Sequence, residues 1–426
     1  MNKLQQEAFN DLEKRINIFI TGPGGTGKTF LIKEYYKKYH LYRNIGITST
    51  TGVSAILIGG TTLHSYLGLG IGEDSLEHLY QKIKRNPKAN KNWKSVDTLV
   101  IDEVSMLRPE LFDKIEKLAR LIRGNELPFG GIHLVLTGDF LQLPSIRNQK
   151  ENDEEIKDFI FESECWDKII KKVFYLQEIV RQKDEIFISV LNKVRYGLVD
   201  EEVKNILNSR INKQLENEFK IEPTKLYCKN LNVDRINNSK LEELINTEGE
   251  VYQYEITFEF NKSINFETVQ KYKKNINIPE SLQLCKGSQV MLTINLDFER
   301  ELVNGSRGVI IDFEDDFPVV QFCNGVKTVI EYKKIEITEN NKAILNYTYL
   351  PLKLAWAVSI HKCQGSTLDL VELDLYDIFE YGQAYVALSR AKTLEGLSIK
   401  RIDYNYIVAH PKAVEFYQKC QDNLKI

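Results

Sequence analysis

Ile16-Asn17-Ile18-Phe19-Ile20-Thr21-Gly22-Pro23-Gly24-Gly25-Thr26-Gly27-Lys28-Thr29 is the stretch whose reading decides the fold. Its first five residues are strand-like. The glycine-rich remainder fits G-x-x-x-x-G-K-[ST], and a helical segment follows. In that context backbone N–H groups close around phosphate oxygens, and the helix points its positive end at them. Gly22, Gly24, Gly25, Thr26 and Gly27 then cradle a nucleotide such as ATP. Lys28 neutralises the β- and γ-phosphates, and the Thr29 hydroxyl holds Mg²⁺. A glycine turn that merely precedes a lysine would need strand, loop and helix to coincide by accident.

Outward from this loop, short apolar runs recur at Asn44–Thr48, Thr98–Ile101 and His133–Thr137. Between the last two, Leu111, Ile115, Leu118 and Ile122 repeat at helical spacing, which predicts a helix over Pro109–Arg123 with proline in its first turn. Strands alternating with helices predict a parallel α/β domain. Ligands of parallel sheets bind outside the carboxyl ends of strands. Asp102 and Glu103 close the strand Thr98–Ile101, so both are expected to face the loop. Asp102 is the expected Mg²⁺ partner, through water, and Glu103 the group that orients or deprotonates the attacking water. Gly138-Asp139-Phe140-Leu141-Gln142-Leu143-Pro144 leaves the next strand, and the Gln142 amide there can sense the γ-phosphate. These features alone do not separate kinase, GTPase and motor.

The 426 residues carry 57 Lys plus Arg against 60 Asp plus Glu, a net charge of −3. Hydrophobic residues at 42% and charged residues at 27% exclude a disordered or collagenous chain. No apolar run approaches the ~20 residues of a membrane span, and the N-terminus has no secretory or transit pattern. Residues 1–150 hold 21 basic and 15 acidic residues, or +6, which leaves −9 for the rest. That split permits a basic face without a basic total. The six cysteines include no CxxC pair, so no metal cluster is expected and a reducing, intracellular setting is.

Further along, the acidic stretch 148–164 reads as a linker, and Phe187, Val190, Leu191, Val194 and Leu198 form a helical pattern. From 250 to 347 alternating runs are separated by turns such as Asn304-Gly305 and Asn324-Gly325, which predicts a small all-β insertion. Lys82, Lys84, Arg85, Lys88, Lys91 and Lys94 surround Trp93 in a run without acids. This reads as an arm or wedge on duplex DNA, or equally as a solvated basic face.

In combination, several segments resemble superfamily-one helicases: Thr48 to Ala55, Gly60 to Ser65, Ile101 to Met106 and Gly138 to Pro144. Arg120 to Asn125 with Pro128 to Gly131, and Leu302 to Gly308, narrow the resemblance to the petite-integration-frequency (PIF) helicases. Leu176 to Gln182, Ala355 to Thr367 and Tyr385 to Ala391 resemble helicase motifs IV, V and VI. The resemblance runs from Gln5 to about Ile399.

It implies an α/β fold of two RecA-like P-loop domains with ATP between them and a small all-β insertion in the second. The expected boundaries are 1–160, with a basic insertion near 71–95, then 161–249 with 348–426, and a β-barrel-like insertion at 250–347. It implies an ATP-dependent DNA helicase moving 5′ to 3′ on single-stranded or forked DNA, a monomeric motor in replication, repair, recombination or telomere maintenance. Carried over by position, Gln5, with Gln6 the alternative, reads adenine. Gln364 and Gly365 lie near the γ-phosphate, and Arg181 and Arg390 act as arginine fingers. Thr50, Thr51, His64, Ser359, His361 and Lys362 match positions along the DNA strand. The glutamine segment starts almost at Met1, so no regulatory N-terminal domain is expected, and nucleus, nucleoid and viral replication site all stay open.

Three other readings compete. A RecD-type recombination helicase lacks the Arg120 to Gly131 segment. A P-loop kinase or switch protein needs no motif V or VI. A nucleic-acid-binding module with a dead ATPase fold conflicts with the presence of Lys28, Thr29, Asp102, Glu103, Gln142 and Arg390 together.

Overall fold

The computed structural model of the chain describes all residues other than 71, 146–156, 181–183, 216–220, 229, 261–277, 279, 295, 298, 301, 303, 304, 340, 341, 425 and 426. Its contacts divide into two compact units. The first comprises Met1–Ile211, Leu375–Leu394 and Arg401–Ile426, and the second Asn212–Asp374 and Glu395–Lys400. Residues 161–211 therefore pack with the first unit and not across a break at 160. The Tyr385 to Ala391 segment also packs there, although it was expected in a second domain.

The first unit is built on six strands: β1 (Ile18–Thr21), β2 (Ile45–Ser49), β3 (Thr61–Thr62), β4 (Thr98–Asp102), β5 (His133–Gly138) and β6 (Lys172–Tyr175). All pair in parallel, in the order β3-β2-β4-β5-β1-β6. Every residue of β1, β4 and β5 is buried, as strands covered on both faces require. Alternation then sorts the side chains. Phe19, Leu99, Ile101, Leu134 and Leu136 join one core, whereas Ile18, Ile20, Val100 and Val135 join the other. The sheet order puts β5 between β1 and β4, so the exits of all three strands meet at one edge of the sheet.

The helix Pro109–Arg123 forms where its pattern indicated, with Gly124 closing it in the left-handed conformation. It buries Phe112, Ile115, Leu118 and Ala119. The segment after it is a structural clamp. Arg123 donates to the carbonyl of Gly130 at 2.7 Å, and to those of Trp93 at 2.8 Å and Val96 at 3.2 Å. The last two close the C-terminal end of the helix Pro87–Ser95, where a cation also meets the negative end of the helix dipole. Gly130 cannot be replaced freely, since at φ 60° a Cβ would lie 2.6 Å from the Ala119 carbonyl oxygen.

Two expectations change here. Trp93 is fully buried, its indole N–H donating to the Leu67 carbonyl at 2.9 Å. It is a core residue and takes no part in an arm, wedge or solvated face, because its period in the helix points it inward with Ala89. Lys84, Arg85, Lys88, Lys91 and Lys94 around it are exposed. In the presumed linker, residues 146–156 lie outside the described set, but Phe159 and Ile160 are fully buried. Phe159 packs against Phe140 and Phe161, and Phe161 stacks on Phe416. Composition hid this, since three aromatic or branched residues follow directly on the acidic run.

A four-stranded sheet, in the second unit apart from Leu375, Arg401 and Ile402, holds Thr224–Tyr227 between the parallel strands Ala357–Ser359 and Val371–Leu375, with Leu397–Ile402 at the edge. The expected all-β region begins at Tyr252 and runs to Tyr349. Among the described residues it forms separate five-, three- and two-stranded sheets and not one closed barrel. The strand Leu352–Leu354, just beyond the expected boundary, joins the five-stranded sheet through Leu292. Among the described residues no helix is long and apolar enough to cross a membrane.

Arg123→Ala is expected to lower stability by about 2 kcal/mol, because charge-assisted hydrogen bonds to several part-buried carbonyls disappear together. Urea unfolding checks this, and an unchanged midpoint would show that the clamp is ornamental.

Candidate active site

β1 ends at Thr21, and the chain turns through Gly22 into the helix Lys28–Tyr39. Gly22 has φ 142°, and a Cβ there would fall 2.1 Å from the Leu176 carbonyl oxygen. Only glycine lets the loop start this close to the end of β6. Lys28 Nζ donates to the carbonyls of Gly22 and Pro23 at 2.7 and 2.9 Å, and Thr26 Oγ1 to that of Pro23 at 2.9 Å. Thr29 stands in the first turn of the helix, beside Lys28. Burial lowers the pKa of Lys28, opposed by Asp139, Glu103 and Asp102. Three carboxylates thus bear on the loop lysine.

Two of them leave β4. Asp102 accepts from the Glu103 amide at 2.9 Å and from the Thr137 hydroxyl at the end of β5. Burial pushes its pKa up despite these bonds. Glu103 sits at φ 54°, a left-handed conformation unusual for its type. Its pKa is pushed up to about 7, by burial and then by Asp102, with Lys28 and Arg390 pulling the other way. A carboxyl poised near neutrality beside a phosphate loop suits proton exchange with water.

Gln5 is buried beside the loop. Its Nε2 donates to the Thr26 carbonyl at 3.0 Å, while its Oε1 accepts from the Asn2 amide at 2.9 Å. Gln142 is also buried, with Nε2 on Asp139 Oδ2 at 3.3 Å. Arg390 follows the helix Gln383–Leu388 and is almost fully buried. It donates to the Val386 carbonyl at 2.8 Å and to Ser389 Oγ at 2.7 Å. It belongs to the same unit as the phosphate loop, so it reaches Glu103 from within that unit. Arg181, the other expected finger, lies outside the described residues.

The first unit also carries Thr50, Thr51 and His64. Thr50 Oγ1 donates to the Glu103 carbonyl at 2.8 Å, which ties this candidate strand contact to the carboxylate loop. Thr51 Oγ1 donates to Ser54 Oγ at 3.0 Å. Burial lowers the pKa of His64, which favours the neutral ring. Ser359, His361, Lys362, Gln364 and Gly365 all lie in the second unit. Ser359 ends the strand Ala357–Ser359, buried, with its hydroxyl unpartnered among the described residues. His361 and Lys362 stand in the short turn that follows, Gln364 is buried, and Gly365 has φ 83°.

Two residues, Arg195 and Tyr417, were missed, and Tyr385 was quoted only as part of the motif VI segment. Arg195 has no exposed side-chain surface and grips Asp139 through Nη2 at 2.7 Å and Nε at 3.0 Å. Tyr417, from the helix Pro411–Leu424, donates to Asp139 Oδ1 at 3.1 Å. Tyr385 accepts from the Gly24 amide at 3.0 Å. A signal for Arg195 existed: it lies four residues after Leu191, a charge on the apolar stripe of its helix. Nothing local marks Tyr417, because its partners are about 280 to 400 residues away.

Against known families, residues 1–205 match PIF1-like helicase, and residues 259–313 match the 2B domain of DNA helicase Pif1. The chain is 40% identical to the ATP-dependent DNA helicase PIF1 of Xenopus laevis, over 98% of this chain and 64% of that protein. It is also 40% identical to the uncharacterized protein 030L of Invertebrate iridescent virus 6, over 98% and 94% of the two chains. The crystal structure of Pif1 helicase from Candida albicans superposes with a TM-score of 0.83 at 34% identity, covering 99% of both chains.

Burial raises the pKa of Asp139, but the Arg195 guanidinium outweighs this and holds it below the ordinary aspartate range. A carboxyl lowered in the folded state stabilises above its unfolded pKa of about 3.9, and that share is lost as pH falls through the folded value. Arg195→Ala strands a buried carboxylate and is expected to cost about 3–5 kcal/mol at neutral pH. Without Arg195 burial raises the Asp139 pKa, so the deficit should shrink as pH falls toward and then through the ordinary aspartate range. Denaturation at several pH values tests this, and a deficit independent of pH would discount the charge pair.

Proposed function

This chain belongs to the PIF1-like helicase family, and from that premise we propose an ATP-driven DNA helicase that moves 5′ to 3′ on single-stranded DNA. One observation supports the reading above the others. Lys28, on the phosphate loop at the end of β1, feels Asp102 and Glu103 from the end of β4 and Asp139 from the end of β5. A kinase-like switch has no need of the motif V and VI segments that accompany this arrangement here.

In the proposed reaction the amides of the glycine loop and the first turn of Lys28–Tyr39 receive the phosphates. Lys28 exchanges its carbonyl partners, Gly22 and Pro23, for β- and γ-phosphate oxygens. Glu103 orients the attacking water and takes up its proton, for which a pKa raised to about 7 is suited. Gln142 turns from Asp139 to the γ-phosphate, and Arg390 offers its planar fork to the charge that develops there. Gln5, beside the Thr26 carbonyl, reads the base. Arg181, Gln364 and Gly365 complete the proposed nucleotide contacts.

Thr29 and Asp102 would hold Mg²⁺, Asp102 through water. The donors fit: both are hard oxygen ligands, and burial has raised the pKa of Asp102 and Glu103, as expected of carboxylates short of positive charge. The ion, when bound, supplies charge neutralisation on the phosphoryl oxygens.

Thr50, Thr51 and His64 on one unit and Ser359, His361 and Lys362 on the other are the proposed grips on the strand. Thr50 is also the proposed route by which an occupied strand site is felt at Glu103. The proposed substrate is single-stranded or forked DNA, handled by a monomer.

Lys28→Ala should abolish ATP hydrolysis in a protein that still folds. Glu103→Gln should keep nucleotide binding while turnover falls about 100-fold or more. Measuring ATP turnover with single-stranded DNA, with RNA and with neither tests the substrate. Parent-level turnover in either variant would remove that residue from the mechanism.

Direction needs its own substrates. Duplexes with a 5′ tail should be unwound, and those with a 3′ tail of equal length or with blunt ends should not. Preference for the 3′ tail would reverse the polarity assignment. DNA-stimulated hydrolysis without unwinding of either would leave a translocase that does not part strands.

A further inference from the structure

Tyr417 is far from the phosphate loop in sequence, on a helix to which no motif assigns a role, yet its hydroxyl is fully used at the active site. It accepts from the Phe140 amide at 3.1 Å, donates to Asp139 Oδ1 at 3.1 Å, and lies 2.5 Å from Thr21 Oγ1. A phenol has one hydrogen and two lone pairs. With the hydrogen on the carboxylate and one lone pair on the Phe140 amide, the second lone pair takes the Thr21 hydroxyl hydrogen. Burial, then Asp139, raises the Tyr417 pKa well above the usual phenol value, so it stays a donor.

The partners matter more than their number. Thr21 is the last residue of β1 and directly precedes Gly22. Asp139 and Phe140 open the loop that carries Gln142, and Gln142 itself rests on the other oxygen of Asp139. One hydroxyl therefore spans the two segments whose separation sets where a γ-phosphate meets the Gln142 amide. Arg195 locks the carboxylate from the far side, so Asp139 cannot follow Tyr417 if Tyr417 shifts.

We propose that Tyr417 is a positioning residue for ATP hydrolysis, tying the β1 end of the phosphate loop to the Gln142 loop through its hydroxyl. This rests on the ATPase reading above and adds to it a contact from the C-terminal helix. Tyr417→Phe keeps the ring, which packs against Phe140, Tyr175 and Phe416, and removes only the hydroxyl.

The test is steady-state ATP turnover with saturating single-stranded DNA. In Tyr417→Phe, kcat should fall about tenfold or more, as expected when reacting groups lose alignment, while KM for ATP stays within about twofold. Thr21→Val, which cuts the same tie from the β1 side, should reproduce the loss. In a Gln142→Ala background, adding Tyr417→Phe should change kcat by less than about twofold, because residues acting through one contact are not additive. A variant with a lower melting temperature but parent kcat would make Tyr417 merely structural and overturn the proposal. So would losses that multiply with Gln142→Ala, or a Thr21→Val protein at parent turnover. A parent protein with no ATP turnover would instead overturn the ATPase reading, and this inference with it.

Discussion

Asp139 has no exposed surface, and neither has the Arg195 guanidinium that faces it. A lone carboxylate in that position would cost several kcal/mol, so the interior tolerates it only if every lone pair is met. It is met: Arg195 takes both oxygens, Tyr417 and the Leu141 amide share one, and Gln142 takes the other. Four segments distant in sequence are held by this need. They are the exit of β5, the helix Glu185–Arg195, the helix Pro411–Leu424 and, through Tyr417, the end of β1. An apolar pair in place of buried charges is often as stable, but here each hydrogen bond to Asp139 fixes the direction from which its partner segment approaches.

The parallel sheet explains why that arrangement falls beside the phosphate loop. Parallel strands all end on the same edge, and β1, β5 and β4 are consecutive in the sheet. Thr137 on β5 can thus reach across to Asp102 on β4, and Asp139, two residues on, faces the loop from β1. The apolar strands are buried on both faces, so polar chemistry is confined to their exits. A single slip in register would exchange Ile101 and Asp102 between core and edge. The apolar cores therefore fix the place of the carboxylates as firmly as any hydrogen bond does.

What the sequence disclosed follows the range of each interaction. The loop from Gly22 to Thr29, the strands β1, β2, β4 and β5 and the helix Pro109–Arg123 are written in contiguous residues and were legible, whereas the edge strands β3 and β6 were not. Asp102 and Glu103 were legible because they end an apolar strand. The burial of Trp93 was not legible because composition showed the basic neighbours and not the inward phase of its helix. The 157–164 segment was misread because net charge outweighed Phe159 and Ile160 in the reading, although not in the core. Arg195 and Tyr417 depend on contacts closed by tertiary folding, and no spacing rule encodes those.

The electrostatic balance of the site carries a final step. Arg195 offsets part of the charge of Asp139, while Lys28 bears on Asp139, Asp102 and Glu103 and Arg390 bears on Glu103. Those two carboxylates share one buried corner, and burial raises the pKa of both. Bringing a polyphosphate against them adds negative charge where two cations already face two carboxylates. Lys28 cannot serve the phosphates and the carboxylates at full strength at once. Further positive charge, as the proposed divalent cation at Thr29 and Asp102 would provide, would relieve this competition. The arrangement also gives Arg390 a reason to be buried in the same unit as the loop. Away from water its guanidinium acts through a low local dielectric, so a small movement of the Gln383–Leu388 helix would change the charge felt at Glu103 more than the same movement would at a wet surface.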